Sequence, residues 1–99
     1  MEIRDNKQGT KLTVTVIGTL NTMTSPALGD YVSRNLDGIE ELIFDFSQLE
    51  YITSSGLRVL LQAQKTMNQQ GKMSVAHVND SIREVFELTG FLDILTIMD

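Results

Sequence analysis

The 99-residue chain carries 13 acidic against 8 basic side chains, a formal net charge of −5, with one proline, one histidine and neither cysteine nor tryptophan. That length accommodates one domain whose modest core buries about 60–65% of the unfolded surface, and it excludes a deep two-domain catalytic cleft. With 41% apolar and 21% charged residues the chain is globular rather than disordered; its acidic balance and singly scattered cations argue against nucleic acid and anionic lipid, and the absence of cysteine excludes disulfide scaffolds and thiolate metal sites.

Glu2 to Asn6 fits a short edge strand, with Lys7-Gln8-Gly9 as the turn of an antiparallel hairpin. From Leu12 to Ile17, Leu12, Val14 and Val16 alternate with Thr13 and Thr15, the period of a strand with one buried face, and Gly18 ends it. Ser25-Pro26 reads as an N-cap followed by proline at the first helical position. Leu28, Tyr31, Val32 and Leu36 then recur at helical spacing up to Gly38. The apolar run Leu42 to Phe46 suits a central strand covered on both faces.

A second helix carries Leu57, Leu60, Leu61 and Met67 on one face and Arg58, Gln62, Lys65, Thr66 and Gln69 on the other, and stops at Gly71. Met73 to Val78 is a further strand. Asn79-Asp80-Ser81 supplies cap candidates for a third helix with Ile82, Val85 and Phe86 facing inward, closed by Gly90. A last strand fits Ile94 to Ile97. Strands alternating with helices imply an α/β fold over residues 1–99: a mostly parallel central sheet with an antiparallel N-terminal hairpin and helices packed against it. No apolar run serves as a signal peptide or membrane span, so the cytoplasm is the expected compartment.

In such a sheet, partners meet the loops at the carboxyl ends of the strands. The loop Ser47 to Gly56 follows the central strand and ends in three hydroxyls, Thr53-Ser54-Ser55, at the start of the second helix. Ser54 or Ser55 is the natural N-cap. The same helix terminus, with its exposed N–H groups and positive dipole end, would stabilise an anion, whether a bound phosphate or a phosphoserine. Spacing alone leaves cap and switch both open. A hydrolase triad of Ser54, His77 and Asp80 or Asp45 is disfavoured by the absence of a G-x-S-x-G elbow and of space to enclose a substrate. No catalytic residue, cofactor or metal site is expected. Asp45 in an apolar strand needs hydrogen bonds, which either the following turn or the hydroxyl loop could supply.

Phe44-Asp45-Phe46-Ser47, Tyr51-Ile52-Thr53-Ser54-Ser55-Gly56-Leu57 and Val59-Leu60-Leu61 together resemble the central motif of the STAS family, named for sulfate transporters and anti-sigma factor antagonists. That motif reads approximately D-L-S, a short spacer, then D-S-S-G-L. Gly18-Thr19-Leu20-Asn21 is similar to the family's G-x-L-D turn and Leu88-Thr89-Gly90-Phe91 to its closing L-x-G-L/F segment, so the likeness spans nearly the whole chain. The resemblance implies a stand-alone anti-sigma factor antagonist, a binding module without catalytic activity. In such antagonists the first serine of D-S-S-G is phosphorylated by an anti-sigma factor that is itself a serine kinase, and a PP2C-type phosphatase removes the phosphate. Unphosphorylated, the antagonist sequesters the anti-sigma factor; phosphorylated, it lets go. Transferred to this chain, the phosphoacceptor is Ser54, the partner surface comprises Asn21, Thr22, Thr53, Ser54, Ser55, Arg58 and Gln62, and Asp45 and Gly56 support it structurally. Thr53 and Asn21 stand where the family usually has aspartate, which removes two negative charges from that surface. A subunit of a transporter or stress-signalling assembly that is never phosphorylated is the alternative implied by the same resemblance.

Overall fold

A computed structural model describes residues 1–98. Six strands form one sheet: β1 (Glu2–Gln8), β2 (Lys11–Leu20), β3 (Glu41–Asp45), β4 (Leu49–Ile52), β5 (Lys72–Ala76) and β6 (Ile97–Met98). Three helices, α1 (Ser25–Asn35), α2 (Ser54–Gln70) and α3 (Asp80–Thr89), alternate with them, and a short 3-10 turn covers Phe91–Asp93. The order across the sheet is β1-β2-β3-β5-β6. Among the described residues only the β1–β2 hairpin is antiparallel; β2–β3, β2–β4, β3–β5 and β5–β6 are parallel. The expected class and hairpin are therefore present.

The alternation in β2 places Leu12, Val14, Val16 and Leu20 in the core, where they meet Leu42 and Phe44 of β3, Leu28 and Val32 of α1, and Leu57, Leu60 and Met67 of α2. At 25 cal/mol per Å², each such fully buried side chain contributes about 1.5–3 kcal/mol before entropy is counted. α1 also ties back to the hairpin, its Tyr31 hydroxyl donating to Asp5 Oδ2 at 2.5 Å. Partial burial and the adjacent Asp5 carboxylate push the Tyr31 phenol well above its usual range.

Several boundaries differ from the sequence reading. β3 is the middle of the sheet, but it is not covered on both faces: Leu42 and Phe44 are buried while Ile43 and Asp45 are half-exposed. The doubly covered strand is β5, where residues 73 to 76 are all buried between β3 and β6 and beneath α2. β4 was not expected at all. The C-terminal strand lies at Ile97–Met98 rather than Ile94 to Ile97, because Gly90 adopts φ +80° and directs residues 91–93 into the 3-10 turn, which sends Leu95 into the core. Thr24 holds the N-cap position of α1 without a side-chain cap hydrogen bond, so Ser25 is already helical.

Gly71 ends α2 as expected, yet with an extended backbone open to any residue. Its requirement is steric. A Cβ there would sit 1.9 Å from the Glu40 carbonyl oxygen, against which β5 begins through the Lys72 N–H at 3.0 Å.

Candidate switch surface at the start of the second helix

The site is built where β2 changes neighbour. Its first half pairs with β3 and its last residues with β4, in the register Gly18↔Leu49, Thr19↔Tyr51 and Leu20↔Ile52. The change occurs at a bulge between Gly18 and Thr19, and Gly18 takes φ +105°, a conformation that side chains with a Cβ rarely adopt. Gly18 thus lies inside the strand rather than at its end. The Thr53 N–H extends the pairing by donating to the Leu20 carbonyl at 2.9 Å, and α2 starts at the next residue.

This register explains the cap. Thr53, not Ser54 or Ser55, occupies the N-cap position, and its side chain makes no cap hydrogen bond because Oγ1 is turned inward, buried and without a partner among the described residues. Ser54 is therefore the first helical residue, exposed, with the N–H groups of the first turn lacking a side-chain acceptor from Thr53. Gly56 lets this end of the helix lie flush on the sheet: a Cβ would fall 2.7 Å from Ile52 Cγ1 and 2.9 Å from Leu20 Cβ.

The loop after β2 closes the site from the other side. Asn21 Oδ1 accepts from the backbone N–H groups of Met23 at 2.9 Å and Thr24 at 3.1 Å. Thr24 Oγ1 in turn donates to the Thr19 carbonyl at 2.7 Å and accepts from the Asn21 N–H at 2.9 Å. The Asn21 carbonyl group thus builds the loop, a role an aspartate carboxylate would fill equally well. The product of this turn is the placement of Thr22, whose hydroxyl shares a 3.2 Å hydrogen bond with Ser55 across 33 residues of sequence. Between the starts of α1 and α2 lies an open cleft of about 300 Å³ lined by Thr22, Ser25, Pro26, Ser55, Arg58 and Val59. Ser25 Oγ, like Thr53 Oγ1, is buried and unpartnered among the described residues.

Of the candidate residues, the structure brings Thr22, Ser55 and Arg58 around one cleft, with Ser54 beside it, and Gln62 one turn beyond Arg58. Asp45 stands apart. Its carboxylate accepts from the Ser47 N–H at 2.9 Å and so ties down the turn between β3 and β4, and among the described residues it makes no hydrogen bond to the hydroxyl loop. The triad geometry is not assembled: among the described residues, no hydrogen bond joins His77 to Ser54, Asp45 or Asp80. His77 is exposed at φ +60°, a strained turn residue between β5 and α3. No group of three acidic or histidine side chains among the described residues could hold a metal ion, and no helix there is long and apolar enough to cross a membrane.

Two residues escaped the sequence reading. Met23, 86% exposed, projects from the loop beside Thr22, and Tyr51, 47% exposed, stands three residues before Ser54 on β4. A methionine between two threonines in an Asn-initiated turn was the available signal for the first; the second depended on β4.

The STAS domain model matches residues 2–99. The chain belongs to the STAS domain family. It is 34% identical over 82 residues to BtrV of Bordetella bronchiseptica, a protein named as an anti-sigma factor antagonist, with 81% of this chain and 71% of BtrV covered. Among solved structures, an anti-sigma factor antagonist from Mycobacterium paratuberculosis superposes with a TM-score of 0.86 at 22% identity, covering 97% of this chain and 83% of that one. The Bacillus cell fate determinant SpoIIAA in its phosphorylated form gives 0.76 at 15% identity, covering 99% and 92%. These structural likenesses carry the fold.

Proposed function

We propose that this protein is a cytoplasmic anti-sigma factor antagonist whose partner surface is switched by phosphorylation of Ser54. Unphosphorylated, it sequesters an anti-sigma factor that is also a serine kinase, through the loop Asn21 to Ser25 and the first turns of α2. The kinase transfers the γ-phosphoryl group of a nucleoside triphosphate to Ser54 Oγ, the bond to the β-phosphate breaks to release the nucleoside diphosphate, the hydroxyl proton leaves, and the complex dissociates. A PP2C-type phosphatase returns the group to water. The chain itself catalyses nothing.

The observation that carries this reading is the exposed Ser54 hydroxyl at the first position of a helix whose N-cap side chain is turned away. A phosphoryl group there gains about 1.5–2 negative charges and three acceptor oxygens where the helix dipole and free N–H groups stabilise them. It therefore alters the surface without opposing the fold. BtrV, at 34% identity, lends the antagonist role.

The test pairs two variants against the anti-sigma factor in a titration. Ser54→Ala should bind constitutively and Ser54→Asp at least tenfold more weakly. Equal affinities would remove Ser54 as the switch. Intact-mass and peptide mass spectrometry of the protein from its own cells, grown with and without stress, should find a condition-dependent phosphate on Ser54. Its absence under every condition would point to a constitutive subunit instead.

A further inference from the structure

α2 is electrostatically unlike the rest of the chain. The protein has a net charge of −5, yet the 17 residues of α2 contain Arg58 and Lys65 and no carboxylate. Seven residues apart, these two cations lie on one stripe of the helix, about 10 Å from each other along its axis. Leu61 and Gln62 sit between them, and the four side chains line a shallow cavity of about 330 Å³. Both cations are exposed, and neither has an ion pair or hydrogen bond among the described residues. Arg4, Arg34 and Lys72 by contrast are paired with carboxylates of their own chain, at 2.6, 3.1 and 3.9 Å. Asp30 on α1 is paired with Arg34, and Asp37, just beyond α1, lines a separate cavity with Val59, Gln62 and Thr66 that contains neither Arg58 nor Lys65.

Resting on the proposed antagonist role, we infer that the partner presents an acidic segment to this stripe, its carboxylates meeting Arg58 and Lys65 and an apolar residue meeting Leu61. Unpaired cations beside an apolar strip, on an otherwise acidic molecule, are complementary to such a segment. The arrangement also gives the switch a mechanism. Ser54 and Arg58 are four residues apart with the acidic partner N-terminal, the favoured order for an ion pair on a helix. A phosphoryl group on Ser54 reaches the Arg58 guanidinium, takes the cation the partner's carboxylate needs, and repels that carboxylate.

The experiment uses the full chain bound to its anti-sigma factor. A carbodiimide activates a partner carboxylate, the Lys65 amine displaces the activating group to form an amide, and the reagent leaves hydrated as a urea. Peptide mass spectrometry should find Lys65 joined to an aspartate or glutamate of the partner. The Arg58→Glu/Lys65→Glu double variant should weaken binding tenfold or more and flatten its salt dependence. The equivalent reversal at Lys7 and Lys11, at the far end of the sheet, should leave binding unchanged. In an Arg58→Ala background the affinity gap between Ser54→Ala and Ser54→Asp should shrink several-fold. Unchanged, salt-independent binding by the double variant, with the Ser54→Ala and Ser54→Asp contrast intact, overturns the acidic partner and leaves the antagonist reading standing. Equal affinities of Ser54→Ala and Ser54→Asp in the otherwise native chain would instead remove Ser54 as the switch, and no binding of the native chain to the anti-sigma factor would overturn the antagonist reading. Binding of the free chain to phosphatidylserine vesicles, abolished in the double variant, would assign the stripe to lipid and overturn the inference.

Discussion

Thr53 decides more than its size suggests. Its N–H closes the β2–β4 pairing and its carbonyl accepts the Leu57 N–H at 3.0 Å, so the backbone is fully committed at the point where strand becomes helix. Its hydroxyl is then trapped inside with nothing to bond. A buried hydroxyl without a partner costs about 1–3 kcal/mol. Thr53→Val keeps the shape and removes the oxygen, and urea denaturation should show a gain of about 1 kcal/mol. No gain would mean that a hydrogen-bond partner such as a water satisfies the group. Binding is expected to survive, because the Thr53 hydroxyl is buried and the proposed partner surface rests on the neighbouring Ser54 and Ser55.

At the scale of elements, the decisive contact is the approach of α2 to the ends of β2 and β4. Gly56 permits it, and an added methyl would overlap Ile52 and Leu20, both of which are fully buried and unable to retreat. Gly56→Ala should therefore destabilise the protein by about 1–3 kcal/mol, the range for overpacking a close-packed core. The helix start should also move outward, stretching the Thr22–Ser55 hydrogen bond beyond its 3.2 Å. Amide hydrogen exchange is expected to rise in the first turn of α2 and in the Asn21 to Thr24 loop while β3 and β5 stay protected. A uniform rise across the sheet would instead mean that the contact supports the whole fold and not the start of α2 alone.

For the whole molecule, the topology gathers the proposed partner surface at one end of the sheet. The C-terminal ends of β2 and β4 and the starts of α1 and α2 converge there, whereas Lys7 and Lys11 lie at the hairpin turn, at the opposite end. Because a carboxylate at the first helical position interacts favourably with the helix dipole, by about 0.3–1 kcal/mol, Ser54→Asp should not unfold the protein. For a domain of this size 1 kcal/mol corresponds to about 4–8 °C, so the melting temperature followed by circular dichroism should stay level or rise by a few degrees. A fall of several degrees would turn any loss of partner binding into a stability effect.

Local rules reached the elements whose signals are local. The alternation of Leu12, Val14 and Val16, the helical spacing of Leu28, Val32 and Leu36, and the three cap candidates for α3 all follow from contacts a few residues apart; of those three, Asn79 is the cap, its Oδ1 accepting the Ile82 N–H at 2.8 Å. The motif around Ser54 was legible for the same reason, as was the family it implies. β4 was not, since four residues with only Leu49 and Ile52 buried carry no period, and their pairing lies about 30 residues upstream on β2. With β4 unseen, the cap was assigned to Ser54 or Ser55 and the exposure of Tyr51 went unnoticed. The amino-acid sequence by itself determined the order of the elements other than β4 and the 3-10 turn, and the chemistry available at the start of α2, because periodicity and residue type act within a few positions. The tertiary structure alone decided which residue takes the N-cap position, which hydroxyl is buried and which is exposed, because those depend on pairing β2 with β4 and on Thr22 meeting Ser55 across the fold.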